Sequence, residues 1–241
     1  MSEKMEPKWA DPNPAGSLLI ACLLIATGAL FAGFVPSSCA PLVMVNSIMV
    51  GITLLIIAII SFKNNDIMGG TLNFVFGTIF AVGLSSSGLA QFIIPYFLGS
   101  VSNGALIAPV AKVPSHVNGW IVLPAAVVML FMAIIALRMS SLLVVWMVSF
   151  SIALGFTGVW MMLGSPGITD PSLPISNPII KISGWLFLAC GIAMLYIGFA
   201  GLINTIAGRI VLPLGHPFIK QPCPAPTGSD REGCEIREAY Q

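Results

Sequence analysis

The sequence predicts an all-α, polytopic membrane protein with six transmembrane helices. Of its 241 residues, 57% are hydrophobic and only 8% are charged, against roughly a quarter charged in soluble domains. A soluble core cannot hide that much apolar surface. The apolar residues also gather into runs long enough to cross a hydrocarbon layer of ~30 Å at 1.5 Å rise per residue. Lys and Arg, finally, fall almost entirely on one side of those runs.

The first run is Ser17 to Val35 and the second Leu42 to Phe62. The third opens at Ile67 and stays apolar, apart from Asn73 and a serine cluster, to about Phe92, where "QFIIPYFLGS" reads equally as a longer helix, an interfacial piece or a partly re-entrant segment. The fourth runs from Gly119 to Leu137, the fifth from Leu142 to Met162 and the sixth from Ile182 to Ile206.

With six spans, Lys4, Lys8, Lys63, Arg138, Arg209, Lys220, Arg231 and Arg237 lie on one side, and Lys112 and Lys181 on the other. Positive residues are retained in the cytoplasm, which predicts a multi-pass protein of the cell membrane with both termini cytoplasmic. The organisation is an N-terminal tail (1–12), a six-helix domain (13–220) and a C-terminal tail (221–241). The tail is rich in Pro and charge and reads as disordered or peripherally docked. The polar and turn-forming residues before the first run argue against a cleaved leader.

A net charge of +1 without a basic cluster points away from nucleic acid. Cysteines at 22, 39, 190, 223 and 234 show no metal-ligand spacing, and none of the arrangements that enzymes use is present, so no metal, cofactor or catalysis is expected.

No Asp, Glu, Lys, Arg or His falls mid-span. A protein that moves protons would therefore carry them on the substrate or through water. Gly184, Gly191 and Gly198 recur every seven residues in the sixth span, and Gly70 and Gly77 do so in the third. Such stripes let membrane helices approach closely and predict a compact bundle. Asn73, Phe76, Phe80 and Ser87 share one face of the third span, the kind of face that lines a narrow pore. Ser149, Ser151 and Asn46 serve equally well as bonds to neighbouring helices.

"DPNPAG" before the first run reads as a sharp helix start, with Asn13 as N-cap and Pro14 at the first helical position. The amides of Ala15 and Gly16 and the helix dipole would then offer a carboxylate site. A plain helix start explains the same residues.

These segments resemble a family, the acetate uptake transporters (AceTr), of which the succinate-acetate permeases are members. "NPAG" (13–16) keeps the start of its Asn-Pro-Ala-Pro-Leu-Gly signature, and "AGFVP" (32–36) is similar to its Ala-Gly-Phe-Phe-Pro. "FKNNDIMGGTLNFVFG" (62–77) aligns without gaps on its Phe-Lys-x-Gly-Asn-Thr-Phe-Gly-x-Thr-x-Phe-x-Ser-Tyr-Gly. "LFMAIIALR" (130–138) and "AGLINTIAGRIVLPLG" (200–215) match two further stretches in order and at family spacing.

The resemblance implies a six-helix protomer with a pore within its bundle, assembled as a homohexamer and carrying acetate or similar small monocarboxylates. The residues expected to contact substrate, from the helix start and the polar stripe, are Asn13, Ala15, Gly16 and Asn73. A constriction of Phe, Tyr and Leu in the family would fall on Cys22, Phe76 and Val148, and a substrate-associated Gln on Leu54. The function expected is therefore transport of a small monocarboxylate, by proton symport or as a channel. Lys181 would either steer anions or sit solvated at the interface, and Arg209 would be structural. A channel for a neutral solute such as ammonia, urea or undissociated acid is the alternative within transport. A non-conducting membrane scaffold is the alternative outside it.

Overall fold

The computed structural model describes residues 9–91, 93, 113–167 and 173–219. Residues 1–8 of the N-terminal tail, Lys112, Lys220, the C-terminal tail and most of "QFIIPYFLGS" lie outside the described residues. Among the described residues, six helices are long and apolar enough to cross a membrane: α1 (Asn13–Ala32), α2 (Ala40–Lys63), α3 (Ile67–Gln91), α4 (Val113–Ala136), α5 (Ser141–Met162) and α6 (Pro178–Ala207). No strand occurs among the described residues.

The helix ends are set by local chemistry and move the expected boundaries. α6 opens four residues before the apolar run because Asn177 accepts from the Ile179 amide at 2.9 Å and Pro178 occupies the first turn. It closes at Gly208, left-handed at φ 62°, so the helix ends at Ala207, well before Pro213. α3 is capped by Asp66, whose carboxylate accepts from the Gly69 amide at 2.9 Å. Phe76–Leu84, in the middle of α3, is wound as a π-helix, a wider coil often found beside functional sites.

The helices pair α1 with α6, α2 with α3 and α4 with α5, and α5 joins α6. Each of the first three pairs crosses at two glycines. A Cβ on Gly28 would lie 2.9 Å from the Gly184 carbonyl oxygen, one on Gly51 3.0 Å from that of Gly77, and one on Gly119 2.9 Å from that of Gly158. The predicted stripe is real: Gly184, Gly191 and Gly198 all abut α1, against Ala32, Ile25 and Leu18. Lipid offers apolar side chains no incentive to associate, so this backbone proximity supplies the van der Waals contact that holds the bundle.

Polar side chains inside the bundle bond across helices or to their own turn. Ser151 donates to the Ala126 carbonyl at 2.7 Å, and Thr157 and Ser183 share a bond at 2.7 Å between α5 and α6. Ser87 donates to Asn118 on α4 at 2.9 Å. Asn46 is exposed on the outside of α2.

Candidate transport site

Two cavities open toward opposite ends of the bundle. The lower one, of about 380 Å³, lies at the end where α1 starts and α6 stops, and its wall includes Asp11, Asn13, Ser17, Ile20, Asp66, Asn73, Met194 and Leu214. The upper one, of about 130 Å³, is walled by Leu23, Leu24, Thr27, Phe31, Ser47, Phe76, Phe80, Phe150 and Phe187 among others. Among the described residues, no charged side chain stands in the upper wall.

The separation of the cavities can be read along each helix. On α1 the lower wall ends at Ile20 and the upper begins at Leu23; on α3 the corresponding residues are Asn73 and Phe76. Three residues are about 4.5 Å of helix. On α5 the step runs from Leu143 to Phe150 and on α6 from Met194 to Phe187, about 10 Å. The neck is one to two turns thick.

Aromatic rings fill it. Phe76, 1% exposed, stacks on Phe150 at 4.9 Å and on Trp146 at 5.9 Å, and tilts against Phe80 at 5.2 Å. Trp146 lies parallel to Phe150 at 5.4 Å, its indole N–H donating to the Cys190 carbonyl at 2.9 Å. Offset stacking holds such rings more firmly than burial alone.

Below the neck, a polar cluster ties three segments together. Asn13 donates through Nδ2 to the Asp66 carboxylate, and its Oδ1 accepts from Ser61 at 3.2 Å and from Asn73 at 3.3 Å. Asn73 also donates to the Gly69 carbonyl at 2.8 Å. A Cβ at Gly16 would fall 2.5 Å from Asn73 Oδ1, so any larger residue there would displace the Asn73 amide from its present position.

This geometry corrects the reading of the first helix. Pro12 occupies the cap, Asn13 is the first helical residue and its side chain caps nothing; it is committed across to α2 and α3 instead. Of the two amides expected to receive a carboxylate, those of Ala15 and Gly16, the second is already used, and so is that of Asn13. Asp11 takes the Asn13 N–H at 3.0 Å, and the Gly16 N–H bonds to the Pro12 carbonyl at 3.1 Å. Ala15 is exposed and does not line the lower cavity.

Two constriction residues also move. Cys22 is exposed on the outside of α1, in the wall of neither cavity. Asn13, Ser17, Ile20, Leu24, Thr27 and Phe31 repeat at helical spacing through both walls, and two residues from Ile20 is about 200° around the helix. Cys22 therefore lies on a different face of α1 from the one that both cavity walls share. Val148 is half-buried against the core and lines neither cavity; Trp146, Met147 and Phe150 occupy the centre on α5. Leu54 is fully buried and also absent from both walls.

Lys181 is half-buried beside the Gly33 turn and outside the upper wall. Arg209 is exposed beyond the end of α6 and outside the lower wall. Asn204, which lies in the matched stretch 200–215 but was not singled out there, folds the segment after α6 back. Its Oδ1 accepts from the amides of Val211 and Leu212 at 2.8 and 2.9 Å, which helps to set Leu214 and Gly215 into the cavity wall.

The bundle is similar to a solved structure described as that of the bacterial acetate channel SatP. The TM-score is 0.66 at 19% identity, over 86% of this chain and 100% of that one. The chain has the fold of that channel. At this identity the likeness is one of fold, and it agrees with the resemblance carried by the motifs. No protein-family model and no curated protein sequence matches the chain.

Removal of the Asn13 side chain should show the weight of the polar cluster. Asn13→Ala leaves the Asp66 carboxylate and the Asn73 amide each short of a partner, which costs about 1–3 kcal/mol, more than loss of a cap alone would predict. A melting curve of the purified protein in detergent would show the change as a lowered midpoint.

Proposed function

We propose that the protein passes acetate or a similar small monocarboxylate across the cell membrane, through the bundle of each protomer. In this reading the protomers assemble as a hexamer, both termini face the cytoplasm, and the lower cavity is the cytoplasmic vestibule. It is a transporter rather than an enzyme. The observation that carries the reading is the pair of opposed cavities separated by a neck one to two turns thick, in a fold shared with a channel for acetate.

The neck supplies selectivity by size and dehydration. No donor in the upper wall is strong enough to replace the water around a bare carboxylate, so a solute crosses according to its cross-section and the cost of stripping it. Proton stoichiometry follows when the proton travels with the substrate, because an anion crossing alone does about 2.3 kcal/mol of work per charge per 100 mV.

Radiolabelled acetate flux into proteoliposomes, with and without a proton gradient, tests the reading. Flux above that of protein-free vesicles is expected, accelerated by an inward proton gradient if coupling is obligatory and insensitive to it if the pathway is an open channel. Assembled protein without flux would favour the scaffold. The uncharged upper wall favours one second reading, a channel for neutral solutes. Urea flux exceeding acetate flux would select it.

A further inference from the structure

The segment after α6 carries a face that the bundle leaves open. Residues 208–219 run without helix from the end of α6 to the turn between α4 and α5, and their backbone is tied down along the way. Besides its two bonds from the Val211 and Leu212 amides, Asn204 donates to the Leu212 carbonyl at 2.8 Å. Tyr196 donates to the Pro213 carbonyl at 2.8 Å and Ser140 to that of Leu214, and the Ile219 amide donates to the Leu137 carbonyl at 3.1 Å. The side chains turn the other way. Ile210 and Phe218 are each 62% exposed, and Val211, Ile219 and Ile206 of the last helical turn are exposed as well. A strap that bonds its backbone to the protein and presents apolar side chains outward suits the membrane interface, where side chains enter lipid and backbone groups must find protein partners.

Charge at this end of the bundle is sorted between inside and outside. The described carboxylates, Asp11 and Asp66, both belong to the lower cavity wall. The guanidiniums stand outside it and are exposed, Arg209 at the start of the strap and Arg138 in the turn that receives its end. Neither has an ion pair or a side-chain hydrogen bond among the described residues. Lys63, the third described cation of this end, is engaged over the Trp9 ring at 5.1 Å. Unpaired guanidiniums match phosphate oxygens in a bidentate fork. Beside exposed apolar side chains at the rim of a membrane bundle, their complement is a molecule with an anionic head and an apolar tail.

We infer that the strap formed by residues 208–219 is an anionic-lipid site. Phospholipids of the leaflet at the lower end meet Arg138 and Arg209 with their phosphates and cover Ile210, Val211 and Phe218 with their acyl chains. The same strap sets Leu214 and Gly215 into the lower cavity wall, so the lipids that seat it also steady part of that wall. The inference rests on the membrane-spanning bundle and is independent of the solute that crosses it.

A bimane label on Phe218→Cys, in an otherwise cysteine-free full-length protein, tests it in phosphatidylcholine vesicles that contain a small fraction of brominated lipid. Quenching by brominated phosphatidylcholine reports insertion of the strap, and quenching by brominated phosphatidylglycerol reports its preference for an anionic head. Both lipids should quench. Phosphatidylglycerol should associate at least about fivefold more strongly, since each Lys or Arg near the surface contributes about that factor. Salt at about 1 M should reduce the preference. Arg138→Gln combined with Arg209→Gln, both at exposed positions, should bring the two lipids to within about twofold and leave quenching by phosphatidylcholine as it was.

Absence of quenching by either lipid would show the strap covered by protein, a second copy or the chain beyond residue 219, and would overturn the inference. Equal association of the two lipids with the unsubstituted strap would overturn it too. A preference undiminished in the double variant would contradict the assignment to Arg138 and Arg209.

Discussion

Phe76→Ala is expected to widen the neck and raise the flux of butyrate relative to acetate by at least about tenfold. The Phe76 ring is buried against Phe80, Trp146 and Phe150, and its position is only three residues above the lower wall on α3. Truncating it removes the ring that meets three others and joins two existing spaces. The energetic difference of one or two methylenes in a tight apolar site is about 1–3 kcal/mol, which sets the expected change in ratio. Stability should fall by about 3 kcal/mol, as for other buried Phe→Ala changes. Phe76→Tyr keeps the ring and adds a hydroxyl, so it should preserve size selection while assisting the anion. The measurement is the ratio of butyrate to acetate flux in reconstituted variants matched for protein content. An unchanged ratio in Phe76→Ala would move the neck away from α3.

Gly184→Leu is expected to abolish the folded protomer. A Cβ at this position would lie 2.2 Å from the Ala32 amide nitrogen and 2.6 Å from the Phe31 carbonyl carbon. Both are backbone atoms of α1, so no rotamer change relieves the clash and the two helices must separate. Overpacking usually costs about 1–3 kcal/mol when side chains can give way, and more is expected where backbone must move. Gly155 is the internal control, since a Cβ there meets nothing within 4 Å; Gly155→Ala should assemble like the wild type. Size-exclusion profiles of the two purified variants would show the difference, and normal assembly of Gly184→Leu would contradict the proposed α1–α6 crossing.

The helices were legible because membrane spans are written in length and hydropathy, which need no tertiary context. The glycine stripe was legible for a similar reason: a seven-residue recurrence names a face before its partner is known. The ends of the first helix were not. "NPAG" at 13–16 and "SNPI" at 176–179 look alike as helix starts, yet only Asn177 caps its own helix. The difference lies in Asp66, Ser61 and Asn73, which reach Asn13 from far along the chain.

The neck was half legible. Phe76 was found through its spacing from Asn73 and Phe80, but its stacking partners Trp146 and Phe150 sit in a span that is apolar all round. Nothing in that stretch of sequence marks which face turns inward. Cys22 and Val148 were reached by counting along a resemblance, and a slip of one or two residues on a helix moves a side chain to another face. The return of residues 208–219 to the α4–α5 turn depends on three-dimensional placement and was invisible until the bundle was assembled.

The central claim is that solute passes through the protomer's own bundle, along the face of α1 that carries Ile20 and away from the face that carries Cys22. The most direct test places a single thiol on each face in an otherwise cysteine-free protein, Ile20→Cys in one form and native Cys22 alone in the other. Acetate flux in proteoliposomes is then measured before and after treatment with a small thiol-specific methanethiosulfonate reagent. The account predicts that modification blocks flux in Ile20→Cys and leaves it unchanged where Cys22 is the only thiol. Block through Cys22, or undiminished flux from fully modified Ile20→Cys, would contradict it.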